Sequence, residues 1–273
     1  MEEQIARARA EVAAADAVLI TAGAGIGVDS GLPDFRGDEG FWKAYPPIRK
    51  LGLSFAEMAN PRWFEKDPRL AWAFYGHRLR LYRETQPHAG FTKLLELADS
   101  KEGGGFVFTS NVDGQFQKAG FPEEQIMECH GSIHHLQCSK NCSEAIWPAA
   151  GIDIDVDEAR FQATGELPHC PRCGALARPN ILMFGDWSWQ AQRTEAQQMR
   201  LEAWLNGVAG KGYRLVVIEV GAGKAVETVR HTSEVIAREF GGRLIRINPR
   251  DDAVPEGEIA LKSGGLDGIG TIM

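Results

Sequence analysis

The stretch that most constrains this chain runs from Ala17 to Arg36, where an apolar run gives way to closely spaced glycines. Ala17-Val18-Leu19-Ile20 is short and uniformly apolar, the pattern of a strand buried on both faces of a parallel sheet. Gly23, Gly25 and Gly27 follow at every second position, so the backbone turns sharply where nothing may project. Strand, glycine turn and helix start together make a cradle for pyrophosphate, because free N–H groups and the helix dipole attract an anion. The sixth place of a strict Gly-x-Gly-x-x-Gly is Val28, and such runs also occur at plain tight turns. The second half of the stretch favours the cradle. Ser30, Asp34 and Arg36 are polar and closely spaced, and Gly31, Pro33 and Phe35 interrupt them. A Phe between an acid and a base fits a ligand pocket better than a solvated loop.

At 273 residues, 44% hydrophobic and 25% charged, the chain has material for one large domain or a domain with an inserted module. Its 30 basic and 37 acidic residues give −7, which offers no electrostatic basis for nucleic acid as a general partner. No apolar run approaches a membrane span. Met1-Glu2-Glu3-Gln4 lacks the basic start of a secretion signal, so a cytoplasmic protein without membrane partners is expected. In that compartment five cysteines read as thiols or metal ligands before disulfides.

Four of those cysteines carry the most specific spacing in the chain. Cys138 and Cys142 flank three residues, Cys170 and Cys173 flank two, and 27 residues separate the pairs. That is the pattern of a tetrahedral Zn2+ site built from two turns; four thiolates leave no open position, so the metal would be structural. A thiol redox pair and four unlinked cysteines are the rival readings. Cys129 is left over, as a buried apolar thiol. Between the pairs, Asp153, Asp155, Asp157 and Glu158 form a solvated acidic face.

The rest of the chain alternates helices and buried strands. Residues 2–15 read as an amphipathic helix. Residues 38–67 are irregular and aromatic, and read as a lid, the start of a small helical subdomain or plain loop packing. Pro68 opens a helix to about Thr85, with Leu70, Ala73, Phe74, His77 and Leu81 on its core face. Tyr75 and Arg78 are three apart on one side of it, able to clamp a carboxylate or simply to pack as a snorkelling Arg beside a Tyr. A helix over 89–99 and a buried strand over 106–109 deliver Ser110-Asn111-Val112-Asp113 at the carboxyl end, where open α/β sheets place ligands. Asn and Asp there also form ordinary turns. A strand over 126–129 leads to His130, whose neutral imidazole could accept a proton near pH 7 or serve as a structural residue. His134 and His135 alternate along the next strand. A helix is expected over 190–208. Leu215–Val220 is a further parallel-type strand, followed by Gly221-Ala222-Gly223-Lys224 and a helix over 226–240, a second strand–glycine–helix anion site. Arg243–Ile247 is the next strand, ending at Asn248.

Several of these segments resemble the sirtuins, NAD-dependent protein deacylases. Residues 23–36 resemble the family pattern GAGxSxxSGxPDFR, with Gly27 where the first serine stands. Ser110–Asp113 resembles TQNID with Ser for Gln, and His130-Gly131-Ser132 resembles HGS. Leu176–Asp186 resembles RPxVVxFGE with Asp for Glu, and is read as returning the chain to the main sheet. Gly221-Ala222-Gly223 stands where the family has Gly-Thr-Ser. Trp72–Arg78 resembles the Tyr-x-x-Arg signature of class III members, which remove acidic acyl groups, and Gln86–Gly90 follows at the family's spacing.

The resemblance covers nearly the whole chain and implies a doubly wound α/β fold, Rossmann-like, with a smaller zinc-ribbon and helical insert. The Rossmann-like part would comprise 1–37, 86–136 and 176–273, and the smaller part 38–85 and 137–175. NAD would contact Ala22, Gly23, Ala24, Gly25, Ser30, Asp34, Phe35, Arg36, Ser110, Asn111, Asp113, Gly221, Ala222, Gly223, Asn248 and Gly264. Residues 262–265 would close over adenine. His130 would be the general base, with Asn111 and Asp113 at the nicotinamide. Tyr75 and Arg78 would grip an acidic acyl group, while Ile181, Leu182, Phe184 and Gly185 would pair with an acyl-lysine peptide. Cys138, Cys142, Cys170 and Cys173 would hold Zn2+. The implied activity is deacetylation or desuccinylation with transfer of the acyl group to ADP-ribose. Two alternatives stand beside it: NAD glycohydrolysis or ADP-ribosyl transfer on the same fold, and a non-catalytic NAD-sensing module.

Overall fold

The computed structural model describes residues 2–34 and 37–273. Its strands in chain order are β1 (Ala17–Ala22), β2 (Gly105–Thr109), β3 (Ile126–Glu128), β4 (Gly131–Cys138), β5 (Ile146–Pro148) and β6 (Val156–Asp157). They continue as β7 (Gln162–Ala163), β8 (Ala177–Ile181), β9 (Leu215–Val220), β10 (Arg243–Ile247) and β11 (Ile259–Leu261). Six of them form a parallel sheet in the order β11-β10-β9-β1-β2-β3, the doubly wound arrangement. Successive residues of β1 explain its uniform apolarity. Val18 and Ile20 enter a core shared with Phe91 and Leu94 of the helix Ala89–Ser100, while Leu19 enters another shared with Leu201 and Leu205 of the helix Gln192–Gly210. A strand covered on both faces has no polar side to show.

One polar pair lies inside that sheet. Arg246 on β10 is in register with Glu219 on β9, both fully buried. Its Nη2 donates to Glu219 Oε2 at 2.9 Å and to Glu234 Oε1 at 2.8 Å, and its Nη1 donates to the Ala253 carbonyl. Paired this way, the buried charges are answered on every side. The network ties the loop after β10 to the sheet.

A third core belongs to the smaller part. The segment expected to be irregular over 38–67 forms four short helices, Gly37–Ala44, Pro46–Lys50, Phe55–Met58 and Trp63–Lys66. They pack with the helix Pro68–Glu84 and with Ile154, Phe161 and Ala163 of the insert. That helix is not one-faced. Residues 70–76 are buried in an unbroken run, and His77, expected inside, is exposed. A Cβ on Gly76 would sit 2.5 Å from Ile154, so helix and insert meet where only a glycine fits.

β8 corrects a second expectation. It does not join the parallel sheet but pairs antiparallel with β4, in a separate sheet ordered β5-β4-β8. Gly131 opens β4 with φ +76°, and a Cβ there would lie 2.1 Å from the Asn180 carbonyl oxygen. Among the described residues no helix is long and apolar enough to cross a membrane.

Candidate active site

β1 and β9 are neighbours at the point where strand order reverses, and their following turns touch backbone to backbone. Gly23 N–H donates to the Val220 carbonyl and Gly25 N–H to the Gly221 carbonyl, each at 3.0 Å. A Cβ on Gly23 would lie 2.8 Å from Cα of Ala222, and one on Gly221, whose φ is +67°, 2.3 Å from the Ile26 nitrogen. Side chains are therefore excluded on both turns. Among the described residues, the N–H groups of Ala24, Ala222, Gly223 and Lys224 meet no acceptor. Such a row of backbone donors at a glycine turn suits the phosphates of a dinucleotide.

The polar residues of the first loop tie it down. Ser30 Oγ accepts from the His88 N–H at 2.9 Å, and His88 Nε2 donates to the Ile26 carbonyl at 2.9 Å. Nδ1 of the same ring accepts from Gly90 N–H, so its proton is on Nε2. Asp34 meets Arg250 at 3.2 Å. Asn248 donates to the Ala222 carbonyl at 2.7 Å, and its oxygen accepts from the Arg250 and Asp251 N–H groups. Asp29, which carries no motif signal in the sequence, accepts from Leu266 N–H at 2.8 Å and holds the start of the last helix beside Gly264. Phe35 and Arg36 lie outside the described residues.

β2 and β3 bring Asn111, Asp113 and His130 to the same edge. Asn111, buried, donates through Nδ2 to the Gly23 carbonyl at 3.2 Å, which joins the end of β2 to the first glycine turn. Asp113 is buried, and its Oδ1 accepts from Gln115 N–H at 3.0 Å. Burial pushes its carboxyl up to about 6, while that N–H and the nearby charge of Arg78 pull against the rise. His130 follows β3, with its ring beside the Ser110 backbone. Burial holds its pKa below the ordinary 6.5, so the imidazole is neutral and able to accept a proton at pH 7.

Tyr75 and Arg78 are both buried in the helix Pro68–Glu84. The guanidinium carbon of Arg78 lies 5.2 Å from the ring centroid of Phe74, 5.4 Å from that of Tyr82, 5.7 Å from that of Tyr75 and 6.0 Å from that of Phe55. Its Nε and Nη2 both donate to the Tyr82 hydroxyl, at 3.0 and 2.9 Å. The Tyr75 hydroxyl is buried and meets no hydrogen-bond partner among the described residues. Tyr82 belongs to no motif in the sequence, although a spacing of four from Arg78 puts both on one helix face.

From the end of β8 into a turn at residues 184–185, Leu182 and Phe184 are exposed and Ile181 and Met183 buried. The N–H groups of Leu182 and Phe184 are already taken by the His130 and Ala59 carbonyls, each at 2.9 Å. A buried pair, Arg178 and Asp186, fixes the next turn of the chain. Asp186 also accepts from Ser188 N–H, and the Ser188 carbonyl in turn accepts from Gln137. Trp187, between two anchored residues, is held fully exposed.

The four cysteines come together as their spacing requires. Their sulfurs all lie within 4.8 Å of one another, with Cys138–Cys173 and Cys142–Cys170 each at 3.6 Å. Zn–S bonds of about 2.3 Å in a tetrahedron place sulfurs about 3.8 Å apart, so the group fits a structural Zn2+.

The sequence profile of the Sir2 family matches residues 23–203. The NAD-dependent protein deacylase of Pyrococcus furiosus is 31% identical over 235 residues, spanning 85% of this chain and 81% of that protein. That of Thermus thermophilus is 29% identical over 275 residues, spanning 99% and 94%. A Sir2 homologue solved with NAD superposes with a TM-score of 0.70 at 25% identity, covering 98% of this chain and 92% of that one. Another, an S24A mutant with ADP-ribose, gives 0.69 at 26% identity, covering 97% and 94%.

Proposed function

The chain belongs to the Sir2 family, and from that premise we propose how its residues carry out NAD-dependent deacylation of protein lysines. The reaction moves an acyl group from lysine to ADP-ribose and releases nicotinamide, with NAD supplying the electrophilic ribose carbon. The observation that carries the reading is the convergence of three strand ends. Asn111 reaches Gly23 at the end of β1, and His130 after β3 lies beside the Ser110 backbone at the end of β2. A base, an amide-binding pair and a phosphate cradle therefore share one edge.

NAD would lie between the Rossmann-like part (1–37, 86–136 and 176–273) and the smaller part (38–85 and 137–175). Its phosphates would meet the open N–H groups of Ala24, Ala222 and Gly223. Asn111 and Asp113 would hold the nicotinamide amide, and His130 would take a proton from a ribose hydroxyl. The departures at Gly27, Ser110 and Gly221-Ala222-Gly223 remove hydroxyl and amide contacts from the cofactor side, and backbone donors do that work here. The acyl-lysine peptide would run along residues 181–185. With the amides of Leu182 and Phe184 already bonded, it would meet the exposed side chains of that segment and the N–H of Gly185.

The acyl pocket would be lined by Tyr75 and Arg78. A buried cation in an aromatic box, with an unmatched hydroxyl one turn away, suits the carboxylate of a succinyl or malonyl group. Mass spectrometry of one peptide carrying acetyl-, malonyl- or succinyl-lysine, with and without NAD, tests the proposal. O-acyl-ADP-ribose formed only with NAD is expected. Free ADP-ribose with the acyl-lysine intact would replace deacylation by glycohydrolysis.

A further inference from the structure

Deacylation leaves Tyr82 without a task, yet its geometry is among the most specific in the smaller part. Its hydroxyl oxygen accepts from both Nε and Nη2 of Arg78, at 3.0 and 2.9 Å. Those two nitrogens form an edge with which a guanidinium grips a carboxylate through parallel hydrogen bonds. Here two donors converge on one neutral oxygen, where a carboxylate would bring two oxygens and a charge. Tyr82 also lines a cavity of about 420 Å³, together with Arg83, Asp113, Ser132 and His134.

We propose that Tyr82 is a placeholder in the acyl pocket: its hydroxyl occupies the gripping edge of Arg78 until an acidic acyl group displaces it. This rests on the reading of Tyr75 and Arg78 as the acyl clamp. Without substrate, the phenol keeps two buried donors satisfied, which would otherwise be costly. When succinyl-lysine enters, its carboxylate takes both donors and the Tyr75 hydroxyl, and the Tyr82 ring moves toward the cavity. An acetyl group has nothing to exchange for the phenol, so Tyr82 stays. Tyr82 is thus a positioning residue that lowers the affinity for acidic acyl groups while leaving neutral ones alone.

Tyr82→Phe deletes only the hydroxyl and keeps the ring. At saturating NAD, its KM for a succinyl-lysine peptide should fall ~5–20-fold, the size of one lost competing hydrogen bond to a charged group. kcat and the KM for the acetyl-lysine peptide should stay within about twofold. The melting temperature without substrate should drop, and succinyl peptide should raise it further than in wild type. Tyr82→Met, which also removes the hydroxyl and keeps apolar bulk, should give the same split and serves where Tyr82→Phe does not fold. A succinyl KM that rises or does not move overturns the placeholder, and so does an equal change for both substrates. Arg78→Met, run alongside, separates the two readings. If it abolishes succinyl preference while Tyr82→Phe changes nothing, the clamp stands and Tyr82 is packing; if it keeps the preference, both fall.

Discussion

Where the phosphates of NAD would lie, the groups that would face a ligand are backbone; where the nicotinamide and the acyl group would lie, they are side chains. At the ends of β1 and β9, Gly23 and Gly221 press main chain against main chain, and the side chains of Ser30 and Asn248 serve to hold loops in place. Around Arg78, four rings surround one cation, among them the Tyr82 phenol that accepts from it, and burial shifts the pKa of His130 down and that of Asp113 up. A site made of backbone tolerates loss of hydroxyl side chains but not a change of chain path. A site made of side chains has the reverse weakness.

That contrast can be broken or sharpened by substitution. His130→Ala should lower kcat for deacylation ~10²–10⁴-fold with NAD affinity retained, as for removal of a general base; near wild-type turnover in steady-state assays would return His130 to a structural role. Next, Arg78→Met should cut kcat/KM for succinyl-lysine ~30–1,000-fold while sparing acetyl-lysine. Equal losses on both peptides would mean the acyl side is packing alone.

Gly221→Ala strikes the other side. A left-handed φ and a Cβ 2.3 Å from Ile26 should weaken NAD ~10–100-fold by calorimetry, at unchanged acyl preference. Unaltered NAD binding would undo the backbone half of the comparison. Elemental analysis should find one Zn per chain, and stripping it should harm acyl discrimination before NAD binding, because the insert shares its core with the Arg78 helix. Metal-free protein with full acyl preference would disconnect the two.

The smallest effect is on stability. Burial raises the Asp113 carboxyl from 3.8 to about 6, so between those values the folded chain holds a proton that the unfolded chain has released. Stability from this group is therefore complete below 3.8 and lost as pH rises through about 6. Asp113→Asn keeps the acceptor for Gln115 and should raise the melting temperature by about 2–4 °C at pH 7.5, little at pH 4, while slowing deacylation. A variant less stable than wild type at pH 7.5 would mean that the carboxylate is stabilising where it lies.

The parallel sheet was legible because its strands are covered on both faces and so are unmistakably apolar; Leu215–Val220 and Arg243–Ile247 fall where the pattern puts them. The four cysteines were legible because metal geometry dictates their spacing. Partner choice was not. β8, with Arg178, Pro179 and Asn180, lacks the apolar run of a main-sheet strand; the resemblance alone placed it there, and it pairs with β4 instead. Glu219 and Arg246 each interrupt an apolar run, but their meeting depends on the register of β9 against β10, which no single strand carries. The helix holding Arg78 shows a one-sided pattern on paper and is buried nearly all round, because the insert closes over its second face. At residues 182 and 184 the sequence shows two apolar side chains; that they face outward and that their amides are already bonded belongs to the folded chain alone.

Trp187 makes the molecule its own reporter. Of seven tryptophans, Trp63 and Trp72 are sealed in the core, while Trp187 stands wholly in water on a turn pinned at both ends. Its emission should lie at the red edge of the spectrum and be the first quenched by iodide. A peptide laid along residues 182–185 would pass beside this indole and shade it from the quencher. The drop in quenching would then count occupied clefts, with no label attached and no turnover required.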